Sequence, residues 1–174
     1  MVIALVASCT DAGLSDSLDA PGIDPRGEGV DDLTVGNRLM SAGEYDLALD
    51  AFARAALEQG MTPEILTSMG TANLGLRQLG PAEILLRRAV EDGSDWPVAW
   101  NNLGVLLIEK GEYPEAVQVF QRAFALDNGE SDAIRDNLRL ALAKMENPVN
   151  TTEEEQEYTL EQLGDGQFRL RKLP

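Results

Sequence analysis

The hydrophobic pattern changes character several times along the chain. Val2 to Ala7 is an unbroken apolar run, far too short to cross a bilayer. Thr10 to Gly29 is rich in Asp, Ser, Gly and Pro and holds neither a helical nor a strand period, so it reads as a flexible linker. From residue 30 to residue 146 the apolar positions follow helical spacing and repeat in register with themselves. Gly36, Gly70 and Gly104 stand 34 residues apart, as do Ala48, Ala82 and Ala116, and Ala55, Ala89 and Ala123. Phe52, Leu86 and Phe120 keep the same interval for a large apolar residue. Positions held in phase through three units predict a helical repeat, in which each helix pair buries its apolar face by stacking on its neighbours. Beyond the third unit, Ser131 to Lys144 predicts one further helix, with Ser131 as N-cap and Ile134, Leu138, Ala141 and Leu142 as its apolar stripe. Arg135, Arg139 and Lys144 fall elsewhere on that helix.

The last segment changes period. Asn147 to Glu157 is polar and acidic and reads as a second linker. From Tyr158 to Leu173 the alternation is two. With Gly164-Asp165-Gly166 as a three-residue loop, Leu160 falls opposite Leu170, Tyr158 and Phe168 share that face, and Glu161 meets Arg169 on the other. This is the register of a β-hairpin. A lone hairpin is marginal in water. The segment therefore docks on a partner strand, folds back on the helices of its own chain, or stays a loose tail.

Charge and composition narrow the chemistry. Fourteen Lys and Arg face thirty Asp and Glu, a formal net charge of −16. So acidic a surface repels phosphate backbones and argues against nucleic acid as a partner. The chain has no histidine and a single cysteine, Cys9. The usual general base, the commonest metal ligand and an internal disulfide are all missing. Carboxylate pairs are abundant, but a chain this acidic holds them by chance. The expectation is a non-catalytic protein with no cofactor and no metal.

The repeat resembles the tetratricopeptide repeat, a 34-residue helix-turn-helix. The third unit carries Trp100, Leu103, Gly104, Leu107, Gly111, Tyr113, Ala116, Phe120 and Ala123 at signature positions; the first carries Val35, Gly36, Leu39, Gly43, Tyr45, Ala48, Phe52 and Ala55. The second supplies Leu66, Met69, Gly70, Ala82, Leu86 and Ala89, but has Arg77 where the turn glycine belongs, so its turn is expected to use Gly80, with Pro81 opening the second helix. The closing proline is replaced by Gly60, Ser94 and Asn128. Close helix crossing needs small residues where backbones meet, which assigns Gly36 to face Ala48 in each unit and Phe52, Leu86 and Phe120 to fill the gap to the next helix. Pro114 sits in a first turn, where its missing N–H costs nothing.

The resemblance implies an all-α, right-handed superhelix of three helix-turn-helix repeats closed by a capping helix, spanning residues 30–146, with the β-hairpin in the tail of residues 147–174. It also implies a concave groove lined by the first helix of each unit. By family position that groove shows Leu33, Asn37 and Met40, then Glu64, Thr67, Thr71 and Leu74, then Val98, Asn101, Val105 and Ile108, and ends on Arg135 and Arg139. Such a surface suits an extended or helical segment of a protein partner. The carboxylate clamp of chaperone-binding relatives needs basic residues at positions that here hold Leu33, Val98 and Asn102; only Asn37 matches. A chaperone-tail adaptor is disfavoured on that ground.

At the other end, Val6-Ala7-Ser8-Cys9 resembles the bacterial lipobox, in which the cysteine is lipidated and becomes the first mature residue. Residues 1–9 would then be the end of a signal and residues 10–29 the leash. The Lys or Arg that normally precedes such a run is missing after Met1, so the expectation is a true start upstream or a trimmed leader; otherwise Cys9 is an incidental free thiol. Thr10 after the cysteine resembles the signal for release to the outer membrane. Anchor, linker and repeat in that order resemble the small tetratricopeptide lipoproteins of the TadD kind, which serve tight-adherence pilus assembly. That resemblance implies a periplasmic scaffold, anchored to the outer membrane through Cys9, whose partner is a secretin or another pilus or secretion component. The alternative is a cytoplasmic adaptor or co-chaperone without lipid.

Overall fold

The computed structural model describes residues 30–93, 95–146, 158–163 and 166–172. The apolar run, Cys9, the leader linker and the acidic linker of residues 147–157 lie outside the described residues. The chain forms α1 (Asp32–Ser41), α2 (Tyr45–Gln59), α3 (Pro63–Gly75), α4 (Leu79–Asp92), α5 (Pro97–Glu109), α6 (Tyr113–Leu126) and α7 (Asp132–Glu146), then β1 (Tyr158–Gln162) and β2 (Phe168–Lys172). These are the three helix pairs, the closing helix and the hairpin that the period changes predict.

Local chemistry sets the helix starts. The Thr34 amide donates to Asp31 Oδ1 at 2.9 Å at the head of α1, and the Ile65 amide to Thr62 Oγ1 at 3.2 Å at the head of α3. Ser131 caps α7 as expected, its Oγ accepting from the Ile134 amide at 3.3 Å. Pro63 and Pro97 open α3 and α5. The proline that the repeats lack at their close thus reappears as the first residue of the next helix, where no N–H is needed.

The middle turn departs from expectation. Gly80 does not make it. The turn uses Arg77 in the left-handed region at φ 58°, matching Gly43 at 77° and Gly111 at 76°. Its hydrogen bonds are also the same in kind: Arg77 N–H to Leu74 O at 2.9 Å and Gln78 N–H to Asn73 O at 2.9 Å, like Gly43 to Met40 and Glu44 to Leu39. Helix α4 begins at Leu79, so Gly80 and Pro81 sit inside its first turn. Stacking fixes the geometry, and arginine accepts a conformation that glycine takes freely.

The repeat glycines need a second correction. A Cβ on Gly36 would lie 2.3 Å from the Phe52 ring, one on Gly104 2.6 Å from the Phe120 ring, and one on Gly70 2.7 Å from Leu86 Cγ. The large residue therefore sits on the glycine of its own pair, rather than in the gap to the next helix. Ala48, Ala82 and Ala116 are fully buried beside it. A fixed interval of 16 residues between glycine and aromatic or leucine is what locks each pair.

The first helices touch in turn, α1 with α3, α3 with α5 and α5 with α7, and line the concave face. The hairpin pairs Leu160 with Leu170, Glu161 with Arg169 and Gln162 with Phe168, the register read from the alternation. It folds back on the helices: β2 packs on α5 and α7. Phe168 is fully buried there and Leu170 almost so.

Candidate protein-binding groove

The concave face is two surfaces. Over α5 and α7 it is filled by the chain's own strand, and over α1 and α3 it is open. The filled half is built on three carboxamides, Asn101, Asn102 and Asn137, each fully buried. Asn102 Oδ1 accepts from the Phe168 amide at 3.1 Å, and Asn137 Oδ1 from the Leu170 amide at 3.0 Å. The Phe168 carbonyl accepts from Asn101 Nδ2 and from Asn137 Nδ2, both at 2.9 Å, and Asn102 Nδ2 reaches Gly166 O at 2.9 Å. The side chains also hold one another. Asn137 Nδ2 donates to Asn101 Oδ1 at 2.9 Å, Asn101 Nδ2 to Asn102 Oδ1 at 3.1 Å, and Asn102 Nδ2 to Thr71 Oγ1 at 2.9 Å. The network crosses α3, α5 and α7, so the packing of the helices sets its spacing. A strand offers donor and acceptor on the same edge at every second residue. The carboxamides meet that edge at Phe168 and Leu170 much as a neighbouring strand would.

The outer side of the hairpin is charged. Glu161 and Arg169 pair at 2.7 Å. That bond to Arg169 holds the Glu161 carboxyl below its usual range, and Glu161, with Asp136 and Asp132 adding, holds Arg169 above its own. Lys144 is buried along its stem, with its ammonium 5.0 Å from the Tyr158 ring centre.

The open half is a cleft of about 480 Å³ whose walls include Asn37, Ser41, Glu64, Ser68 and Val98, closed at one end by Gln162 of β1. Gln162 Oε1 is buried and has no hydrogen-bond partner among the described residues.

The residues assigned to the groove from the sequence separate accordingly. Asn37 is exposed at the cleft, and Leu33 and Met40 pack toward the core beside it. Glu64 is exposed at the rim. Thr67 and Thr71 are buried and turn back on their own helix, Thr67 Oγ1 donating to Pro63 O at 2.8 Å and Thr71 Oγ1 to Thr67 O at 2.6 Å. Leu74, Val105 and Ile108 belong to the hydrophobic core; Leu74 and Val105 offer no free surface, and Ile108 keeps only a small part of its own. Asn101 is taken by the strand. Arg135 is tied to Asp132 and to the Gly129 carbonyl at 2.8 Å, and Arg139 is exposed near Asp136 at 3.6 Å. Sequence reasoning marks Asn102 only as a mismatch to the carboxylate clamp and misses Asn137. The signal for Asn137 was its place between Ile134 and Leu138, a polar residue inside an apolar stripe.

Residues 97–130 match the tetratricopeptide repeat family, and these are the unit with the fullest signature. No curated protein sequence matches the chain. The fold is shared with solved tetratricopeptide domains. The Sgt2 TPR domain from Aspergillus fumigatus is 24% identical, with 70% of this chain and 82% of that one covered and a TM-score of 0.64. The TPR2B domain of yeast Sti1, solved as a complex with pHsp70, is 17% identical, with 65% and 94% covered and a TM-score of 0.61. The second TPR domain of human RPAP3, solved with an HSP70 peptide, is 20% identical, with 64% and 92% covered and a TM-score of 0.58.

Proposed function

We infer that this chain is a non-catalytic protein-interaction adaptor whose concave face takes extended segments of partner proteins. One observation carries this reading: the face already grips a strand by its main chain, through Asn101, Asn102 and Asn137. The likeness in fold to domains solved with an HSP70 peptide and with pHsp70 supports a protein-binding role. The cleft over α1 and α3 is the accessible site. Its walls are mostly neutral, mixing hydroxyls and amides with Met40, Trp96 and Val98, and Arg38 and Glu64 are the charged residues among them. That chemistry suits an uncharged extended segment better than an acidic chaperone tail.

The test is binding of the full chain to an array of extended peptides. Ser68→Trp, which fills the cleft, is expected to abolish binding, while Ile84→Trp on an exposed position of the second-helix layer leaves it intact. Equal binding by both variants would overturn the groove as the site.

The setting divides in two. An anchor-free adaptor working in the cytoplasm is the reading that the HSP70-peptide domains favour. The rival is a lipid-anchored scaffold at the outer membrane serving a pilus or secretion machine, and it rests on Val6-Ala7-Ser8-Cys9. Membrane fractionation and intact mass of wild type against Cys9→Ser separate them. A lipid mass and membrane pelleting lost in the variant establish the anchor. Soluble, unmodified protein in both leaves the cytoplasmic adaptor.

A further inference from the structure

The strand in the groove is unusual in what it leaves to side chains. Residues joined to a neighbouring strand alternate with residues that point their amide and carbonyl outward. On β2 the outward amide and carbonyl of Phe168 and the outward amide of Leu170 are met by helix side chains. Nothing in those contacts is specific to a covalently attached strand. What selects the occupant is side-chain chemistry: an aromatic residue that is fully buried, an aliphatic residue two places on, and cations between and after them. Arg169, Arg171 and Lys172 supply those cations in a protein whose formal net charge is −16. Arg169 pairs at 2.7 Å with Glu161 of β1, Asp136 and Asp132 on α7 add to the field around it, and a protein this acidic favours a basic strand. The segment that fills it is held by a short hairpin, which has little stability of its own.

We propose that the Asn101–Asn102–Asn137 constellation is a second peptide site, for a basic extended segment of another protein with an aromatic residue followed two places later by an aliphatic one, and that β2 is its resident intramolecular occupant. This rests on the reading of the concave face as a peptide groove, and it adds the class of ligand and the means of control. A partner segment enters by displacing β2, and the tail sets the threshold it must exceed. The cleft over α1 and α3 needs no displacement, so the two halves bind different chemistry.

The probe is a fluorescent peptide of residues 166–172, and the protein is the full chain. Wild type is expected to bind it weakly. Phe168→Ala with Leu170→Ala, which weakens the resident strand and keeps the three asparagines, should bind it at least tenfold more tightly. Adding Asn102→Ala and Asn137→Ala to that variant should return the affinity to the wild-type level or below. Binding by the double variant no tighter than wild type, or binding indifferent to the asparagines, overturns the proposal. Hydrogen exchange on the wild-type chain is independent of whether any variant folds. Excess unlabelled peptide should speed exchange in residues 158–172 and leave α1 to α4 unchanged; no change at saturation overturns the proposal equally. Sedimentation of wild type over a hundredfold concentration range asks about a second copy. Dimers that form with the tails exchanged would assign the site to self-association and refute a foreign occupant. If this site fails while Ser68→Trp still abolishes array binding, the groove reading stands and only the tail's role falls.

Discussion

Leu33, Thr67 and Asn101 occupy the same place in successive repeats, 34 residues apart, and meet different ends. Leu33 is half-buried and packs against the hydrophobic core. Thr67 spends its hydroxyl on the Pro63 carbonyl, one turn back on its own helix. Asn101 reaches across the groove to the carbonyl of Phe168. The repeat puts all three on the concave face, yet only the carboxamide builds a binding contact. A threonine hydroxyl is short and finds its own helix first. An asparagine extends farther and carries a donor and an acceptor together, which is what a strand edge requires. The two halves of the groove differ by such substitutions, and the contrast teaches that repeat geometry supplies positions while side-chain reach decides which become sites.

The contrast is broken most strongly at its apolar anchor. Phe168→Ala should cost roughly 3–5 kcal/mol of hairpin docking, or as much as the docking is worth if that is less. Amide exchange would show protection lost in β1 and β2 with α1 to α4 unaffected. Asn137→Ala comes next, at about 2 kcal/mol, because the Leu170 amide and Asn101 Oδ1 are left buried and unpaired. Asn37→Ala in the open half, where the side chain is exposed, should shift stability by less than about 0.5 kcal/mol. Similar losses at both positions in urea titrations would erase the distinction between the halves.

Arg77→Gly sharpens the comparison along the repeat instead of across the groove. It relieves a left-handed residue at φ 58° and should raise stability by about 1 kcal/mol. The ion pair to Glu109 that it removes involves a mostly exposed guanidinium and offsets little of that. A lower thermal midpoint would show that the turn tolerates arginine for a reason beyond geometry.

The smallest effect is one of pH. Glu83 is held below its ordinary value of 4.5 chiefly by its bond to Lys110, and Glu115 by its bond to Arg87. Carboxylates lowered on folding contribute stability that is present above the ordinary value and is lost as pH falls below it through the folded value. Urea midpoints at pH 7 and pH 3.5 should therefore differ less in Glu83→Gln with Glu115→Gln than in wild type. An unchanged difference would mean that this network between the second and third pairs adds nothing.

Much of this was readable in one dimension. The 34-residue phase of glycine, alanine and large apolar residues determined three helix pairs, and the structure adds that the 16-residue interval inside each pair brings a bare backbone under Phe52 or Phe120. The switch to a period of two from Tyr158 determined the hairpin and its register, since a slip of one would turn Leu160 and Leu170 out of their shared face. Three things belonged to the tertiary structure. Arg77 takes the left-handed conformation that Gly43 and Gly111 take in the other turns, with the same hydrogen bonds, so the turn is set by the pair's geometry and not by residue preference. Thr67 and Thr71 line the cleft, but their hydroxyls donate to their own helix, and only Thr71 also accepts from the groove network, through Asn102 Nδ2. The hairpin's resting place on α5 and α7 depends on Asn101 and Asn102 of one helix meeting Asn137 of another, up to 36 residues apart. A sequence shows periods because periods are local and additive along the chain; it does not show which polar groups meet, because that depends on distances across the fold that no single period contains.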